Sequence, residues 1–554
     1  MMKKEVKTDI KYITLMIVLV LIGLSTFILV GEKHGHDTFY HMANIESLIE
    51  KINLEGFKEG FKISDSIGGG IGYGNKIFYP ILPHMFCAIM CIIFNIRASL
   101  SILISNIIVA VLSSVVVYFL SLELQKKKSV AVLSGFLYTT MPYFLSDLFI
   151  RCSLNENFVL LFFPILLLSL FKLIDNKKKA FYILFILGYV GLILSHLVMT
   201  LYATMMLIPF AIIYRKEIFI KENIKRIVIA VLTVSILVLP DIILFLQHQL
   251  TDLYIVSQEG SMTSFIKLSD AALSLSSFIK YEFPSVISEV GVLIPSCILV
   301  FVFLSSIVLI VDRKKYMNKN ILYIIILTVI SLIMSTKLFP WDIMPETLQL
   351  IQFPWRLSMF FILGLVLLAP ICLNKIKTRK YNILTCAIII LVTVTMQYNF
   401  SFKYDRIRVS LSDLKLYKDI LSYHGLGNQR EYLTYKSQGH YLGRKQTVIN
   451  LKNSKKIVDY KNNEFKINTD KKLKIELPKV YYLGYELIDD NNNKYDLVES
   501  KNGFIETTIS KSGTYKLIYK GTLLYRIFRG IRIIFIILLP LYLVIKYKKR
   551  NNKK

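Results

Sequence analysis

Long apolar runs set the pattern of this chain. They lie at 12–31, 99–122, 129–145, 157–174, 180–197, 198–214, 227–246, 291–311, 320–336, 356–373, 381–398 and 527–545, separated mostly by short basic or polar loops. Each is close to the roughly 20 residues that cross about 30 Å of hydrocarbon, so the pattern predicts about twelve transmembrane helices. A further apolar stretch, 77–96, is broken by Pro80, Pro83 and His84 and is followed by Arg97.

The basic residues decide how that stretch is read. Clusters stand at 126–128, 177–179, 215–226, 313–319, 375–380 and 546–554, and the chain opens with Lys3, Lys4, Lys7 and Lys11. If 77–96 does not cross, every cluster joins the N-terminus in the cytoplasm; if it crosses, the later clusters all change sides. The segment is therefore expected to be re-entrant or interfacial. The first run carries no small-residue cleavage site and is expected to remain as a signal anchor. This topology puts both ends in the cytoplasm and places 32–98, 146–156, 247–290, 337–355 and 399–526 outside.

A different period appears late in the chain. Phe465 and Ile467, then Leu473, Ile475 and Leu477, then Tyr515, Leu517 and Tyr519 alternate with polar residues, punctuated by turn signals at 490–493, 502–503 and 512–513. A small extracytoplasmic β-domain is expected there. The division is a membrane part over 1–398, a mostly β domain over 399–522, and a final span with a basic tail over 523–554. Arg526, Arg529 and Arg532 open that span and are expected to snorkel toward the interface.

Composition adds little to this picture. An apolar content of 54% fits a polytopic membrane protein, and the net charge of +29 sits in loop clusters beside apolar runs, so nucleic acid is not an expected partner. All six cysteines lie in or beside apolar runs, so no disulfide framework is expected.

Charged residues that face the outside carry the candidate chemistry. The first external loop holds Gly35, His36, Asp37 and His41, and the spacing of Ile45, Leu48, Ile49 and Ile52 suggests an amphipathic helix on the membrane. Asp37 and His41 would share a helical face, where a carboxylate at a lipid–water boundary could act as a general base. Equally, Asp37 could be a helix cap and His41 a solvated side chain. The second loop holds Asp147, Arg151 and Glu156 at the outer ends of two spans. Charges so near hydrocarbon need partners or a polar ligand, and a salt-bridged loop is the plainer alternative. The loop before 356–373 holds Trp341, Gln352, Trp355 and Arg356; the guanidinium suits a lipid phosphate, while the tryptophans read as an interfacial belt. His196 ends one span, and Asp241 follows Pro240 inside another, where it either lines a cavity or satisfies the backbone freed by the proline.

Three of these stretches, Gly35 to His41, Met141 to Glu156, and Leu350 to Arg356, together with Phe78, Tyr79 and Pro80, resemble the bacterial YfhO-like and 6-pyruvoyl-tetrahydropterin-synthase-related integral membrane proteins. The resemblance covers about residues 1–400 and implies a GT-C-like glycosyltransferase fold. It implies Asp37 as catalytic base with Asp147 assisting, and the expected substrate-binding set is His36, His41, Tyr79, Arg151, Glu156, His196, Gln352 and Arg356. The pterin label implies nothing catalytic. The chain departs from an Asp-x-Asp pattern by placing His36 before a single Asp37. A divalent cation, Mg or Mn, on Asp37, Asp147 and Glu156 therefore stays an open alternative to base catalysis alone.

The expected reaction moves a sugar from a polyprenyl-phosphate donor to a cell-wall polymer or glycolipid acceptor on the outer face of the plasma membrane. The alternative is a lipid-linked glycan transporter or flippase, since twelve crossings with both ends inside also suit a carrier. Carriers place ionisable groups near mid-membrane, and here the span interiors hold little charge beyond Asp241.

Overall fold

A computed structural model describes the chain except residues 1, 31–34, 57–58, 177–178, 252–253, 256–266, 280–293, 295, 346–352, 404–418, 420, 428–429, 442 and 552–554. The protein is mostly helical, with one small antiparallel sheet region near its C-terminal end. Among the described residues, Ala98–Gln125, Leu154–Leu173, Lys221–Thr251 and Pro354–Lys375 are long and apolar enough to cross a membrane, and six shorter apolar helices accompany them. Leu82–Phe94 has 13 residues. At 1.5 Å per residue it reaches about 20 Å, short of the hydrocarbon thickness. The break before it falls at Tyr79 to Ile81, where Pro80 and Pro83 bracket the bend.

The chain forms two compact units that interleave along the sequence. The first comprises Met1–Thr38, Leu82–Ala230 and Thr263–Ser410; the second comprises Phe39–Ile81, Val231–Met262 and Leu411–Lys554.

In the first unit, Lys179–Ser195 packs along Leu154–Asn176, and Ala98–Gln125 packs against both Lys128–Thr140 and Leu154–Asn176. Small residues permit the closeness. A Cβ on Gly188 would stand 3.0 Å from the Leu166 backbone nitrogen, and one on Gly191 would stand 2.3 Å from the Phe162 ring. Between apolar helices in lipid, where burial drives little, such close backbone approach is a main source of cohesion. The span expected at 129–145 breaks at Met141: a helix ends at Thr140 and Pro142 starts a new turn. Pro suits that first helical position because its missing N–H has no partner to lose there.

In the second unit, nine strands form two antiparallel sheets. We number them β1 (Thr447–Asn450), β2 (Lys455–Asp459), β3 (Glu464–Ile467), β4 (Leu473–Val480), β5 (Tyr485–Asp489), β6 (Lys494–Tyr495), β7 (Val498–Glu499), β8 (Phe504–Ile509) and β9 (Gly513–Tyr519). Their orders are β2-β1-β4-β8-β7 and β3-β9-β5-β6. The alternation expected from sequence is realised in register: Phe465 faces Tyr515 and Ile475 faces Thr507 across paired strands. Val448, Phe465, Ile467, Ile475, Leu487, Ile505 and Leu517 form one buried core. Gly503, at φ 76°, turns the chain between β7 and β8.

The same unit adds contacts to the last helix, Leu523–Asn551. Arg532 finds a protein partner there. It pairs with Asp241 at 2.6 Å, and Lys62 pairs with the other Asp241 oxygen at 2.6 Å. Asp241 is thus held by two cations, a third outcome beside the two expected for it. Arg526 is likewise drawn back, toward Glu486 at 3.3 Å.

Candidate active site

The site is built in the first unit from four pieces of chain, with His196 joining from a fifth. The segment Gly35 to Thr38 is laced to the 146–151 turn by backbone: His36 N–H donates to the Ile150 carbonyl at 3.2 Å and Asp37 N–H to the Arg151 carbonyl at 2.9 Å. Glycine is required at 35, since a Cβ there would meet the Ile150 carbonyl oxygen at 2.2 Å and Cys152 Sγ at 2.7 Å. Asp37 itself lies just before the helix Thr38–Glu55, not on its face.

The second piece is a wide, π-type turn, Ser146–Arg151, which ends where Cys152 adopts φ 54°. Such turns displace side chains from ordinary helical register and recur at functional sites. Here the turn carries Asp147 and Arg151 into contact: Arg151 Nη1 reaches Asp147 Oδ1 at 2.5 Å. The third piece is the start of Leu154–Asn176, where Glu156 sits in the first turn, favoured by the positive helix end.

Glu156 is the hub. Its two oxygens accept from Arg151 Nη1 at 2.8 Å and Nη2 at 2.9 Å, and Arg356 Nη2 stands 2.8 Å away. His196 Nε2 faces the same carboxylate at 3.9 Å. Its Nδ1 accepts from the Met199 N–H at 3.4 Å, capping Leu197–Met206 and leaving the ring proton on Nε2. Asn155 secures the approach to His196 by donating to the Ser195 carbonyl at 2.8 Å. The fourth piece, the turn Pro354–Leu357, supplies Arg356 and Trp355. Arg151 lies over the Trp355 ring at 4.6 Å and Arg356 at 5.5 Å, so the indole is flanked by both cations.

The carboxylates differ in state. Glu156 and Asp147 are buried and ion-paired, although Asp147 Oδ2 has no hydrogen-bond partner among the described residues. Burial and neighbouring Glu156 push the Asp147 carboxyl well above the usual range, against the pull of Arg151. Asp37 is half-buried and makes no side-chain hydrogen bond or ion pair among the described residues. Burial raises its carboxyl above the ordinary value, with Arg151 opposing and Glu156 adding to the rise.

Asp37, Asp147, Arg151, Glu156, His196 and Arg356 therefore meet within one unit. His36 is exposed beside Asp37. His41 and Tyr79 belong to the second unit, each edge to face with Tyr40, at 5.5 and 5.7 Å. Gln352 lies outside the described residues. Trp355 is the residue that a belt reading overlooks; its only sequence signal is its place beside Arg356. Among the described residues no three His, Cys, Asp or Glu are grouped to hold a metal ion. The guanidinium groups occupy the Glu156 oxygens and one of the Asp147 oxygens, which leaves the Asp37 oxygens and Asp147 Oδ2 outside those ion pairs.

A family described as a family of unknown function, DUF6541, matches residues 9–376. A curated protein of Lactococcus lactis subsp. cremoris, described as uncharacterized, is 27% identical over 340 residues, which are 56% of this chain and 51% of that protein. The chain thus spans about half the length of the curated relative it matches. The oligosaccharyltransferase AglB from Archaeoglobus fulgidus, solved with an inhibitory peptide and a dolichol-phosphate, aligns with TM-score 0.45 and 14% identity over 74% of this chain and 56% of its own. ArnT from Cupriavidus metallidurans, solved with undecaprenyl phosphate, aligns with TM-score 0.46 and 12% identity over 69% of this chain and 63% of its own.

Proposed function

We propose that this chain, which belongs to the DUF6541 family, a family of unknown function, is a GT-C-like membrane glycosyltransferase. In this reading it takes a sugar from a polyprenyl-phosphate donor and passes it to a cell-wall polymer or glycolipid on the outer face, with twelve crossings and both ends in the cytoplasm. The observation that carries the reading is the contrast among the carboxylates. Two are consumed by arginines, while Asp37, tied by its backbone to the same cluster, keeps its oxygens uncommitted.

The chemistry follows from that contrast. Asp37 takes the proton of an acceptor hydroxyl as the oxygen bonds to the anomeric carbon from the face opposite the leaving group. The bond from that carbon to the phosphate oxygen breaks, and polyprenyl phosphate departs with the electron pair. Arg356 and Arg151 supply fixed positive charge for it, and such preorganised charge stabilises the transition state more than the ground state. Glu156 positions both guanidinium groups. No step is routed through a metal. A raised Asp37 carboxyl is a stronger base than an ordinary one, at the cost of being uncharged over a wider acidic range.

Asp241 favours this reading over a carrier, because both its oxygens are already ion-paired, one with Lys62 and one with Arg532, rather than open to a cargo. The test is transfer of radiolabelled sugar from a polyprenyl phosphosugar to acceptor in detergent, where no sealed bilayer exists. Wild type should transfer, and Asp37→Asn should lose roughly 100-fold or more, the usual worth of a positioned base. Full activity in that variant removes the base assignment; movement seen only in sealed vesicles favours a carrier.

A further inference from the structure

A cleft of about 1090 Å³ opens in the second unit, and none of the candidate active-site residues lines it. Its walls come from the Thr38–Glu55 helix, the segment around Asp65, and the β3 and β9 strands of the four-stranded sheet. The volume is at the top of the ~300–1,000 Å³ usual for small-molecule sites, which leaves room for several linked rings.

The walls are mixed, and their charged part is organised. Asp65 is clamped by Lys51 at 2.5 Å and Lys479 at 2.8 Å, and Asn463 donates to it at 3.2 Å. Two ammonium groups on one carboxylate leave this part of the wall net positive and holding fixed N–H donors. Lys516 and Lys520 extend the charge along the rim; their partners Glu464 and Glu486 are salt-bridged at 2.8 and 3.2 Å in partly exposed positions. Tyr485 and Tyr519 stand edge to face, 5.1 Å apart, on the same wall. Neither phenol hydroxyl has a hydrogen-bond partner among the described residues, although a buried hydroxyl without one costs about 1–3 kcal/mol.

An acyl chain would leave the charged groups of these walls unanswered. Sugar rings suit them better: the apolar lining takes the apolar side of a ring, amides and ammonium groups meet its hydroxyls, and surplus cations meet an acid. We infer that this cleft binds a segment of an acidic saccharide chain, one bearing carboxylate or phosphate groups on linked sugars. That this chain is the acceptor rests on the transferase reading; that the cleft binds it does not.

The test uses the full-length protein in detergent, with fluorescently labelled oligogalacturonate as acidic probe and maltooligosaccharide of equal length as neutral probe. The acidic probe should bind at least about tenfold more tightly, and its affinity should fall with added salt. Lys516→Glu with Lys520→Glu should abolish that preference, while the melting midpoint stays put because exposed pairs contribute little. Equal affinity for the two probes, binding of neither, or a charge-reversed variant that binds as wild type does would each overturn the inference. Asp37→Asn should bind the acidic probe normally, so loss of transfer and loss of the cleft are read separately.

Discussion

Glu156→Gln is the perturbation that most directly examines how the candidate site is held together. Glu156 holds both Arg151 and Arg356, and among the described residues it makes three of the four carboxylate–guanidinium contacts of the site. Glutamine keeps the shape but removes the charge and turns an N–H₂ toward a donor. Arg151 then retains Asp147 and the Trp355 ring, while Arg356 loses the Glu156 carboxylate inside a buried turn. Breaking a buried pair from one side costs about 3–5 kcal/mol, because the other charge stays buried. At roughly 2 °C per kcal/mol for a large domain, the midpoint should fall by about 6 °C or more. The assay is intrinsic-fluorescence melting in one detergent at one scan rate, since such unfolding is commonly irreversible. Adding Arg356→Gln restores the balance and should return at least ~1 kcal/mol of the loss, a coupling that independent sites would not show. A single variant within about 1 °C of wild type, or a double variant that is simply the sum, would refute the hub.

The other predictions concern the approach to Asp37 and the second ion cluster. Gly35→Ala should cut transfer by roughly 100-fold, because its Cβ forces the Asp37 segment off Ile150 and Arg151; an unchanged initial rate would contradict this. The acid limb of the pH–rate profile should fall at a pH above the ordinary aspartate value of 3.8, since burial raises the Asp37 carboxyl and its basic form is lost on acidification at that higher pH; a limb at or below 3.8 would count against Asp37 as base. Asp241→Asn leaves Lys62 and Arg532 facing a neutral amide and should cost about 1–3 kcal/mol, less than a fully buried pair because Asp241 is partly exposed; melting of the variant measures it.

Much of the architecture follows from short-range pattern, and that part is readable in sequence. Apolar runs near 20 residues recur as helices such as Ala98–Gln125 and Leu154–Asn176, and the Phe465, Ile475 and Tyr515 alternations recur as β3, β4 and β9. Long-range choices are not readable in this way. No period reveals that Phe39–Ile81 packs into the unit that holds the sheets, or that Arg532 finds Asp241 from a span almost 300 residues away. Trp355 shows the same limit, since belt tryptophan and arginine-flanked tryptophan carry the same letter beside the same arginine. The wide turn at Ser146–Arg151 has no sequence signature beyond Pro142, yet it is what aligns Asp147 with Arg151.

Ion pairing also separates roles that sequence position alone leaves equal. Asp37, Asp147 and Glu156 all stand near helix ends, and from sequence any of them could be base, metal ligand or strut. A carboxylate that already accepts two or three guanidinium hydrogen bonds is a poor base, because protonating it forfeits those bonds; Glu156 is in that position. Asp37 forfeits none, so a proton costs it only the shift set by its surroundings. The two should therefore fail in opposite ways. Asp37→Asn should leave the melting midpoint within ~0.5 kcal/mol of wild type while transfer is lost, and Glu156→Gln should lower the midpoint first. If Asp37→Asn proved the destabilising change instead, Asp37 would be a strut, and the base would have to be sought among residues that this arrangement leaves paired.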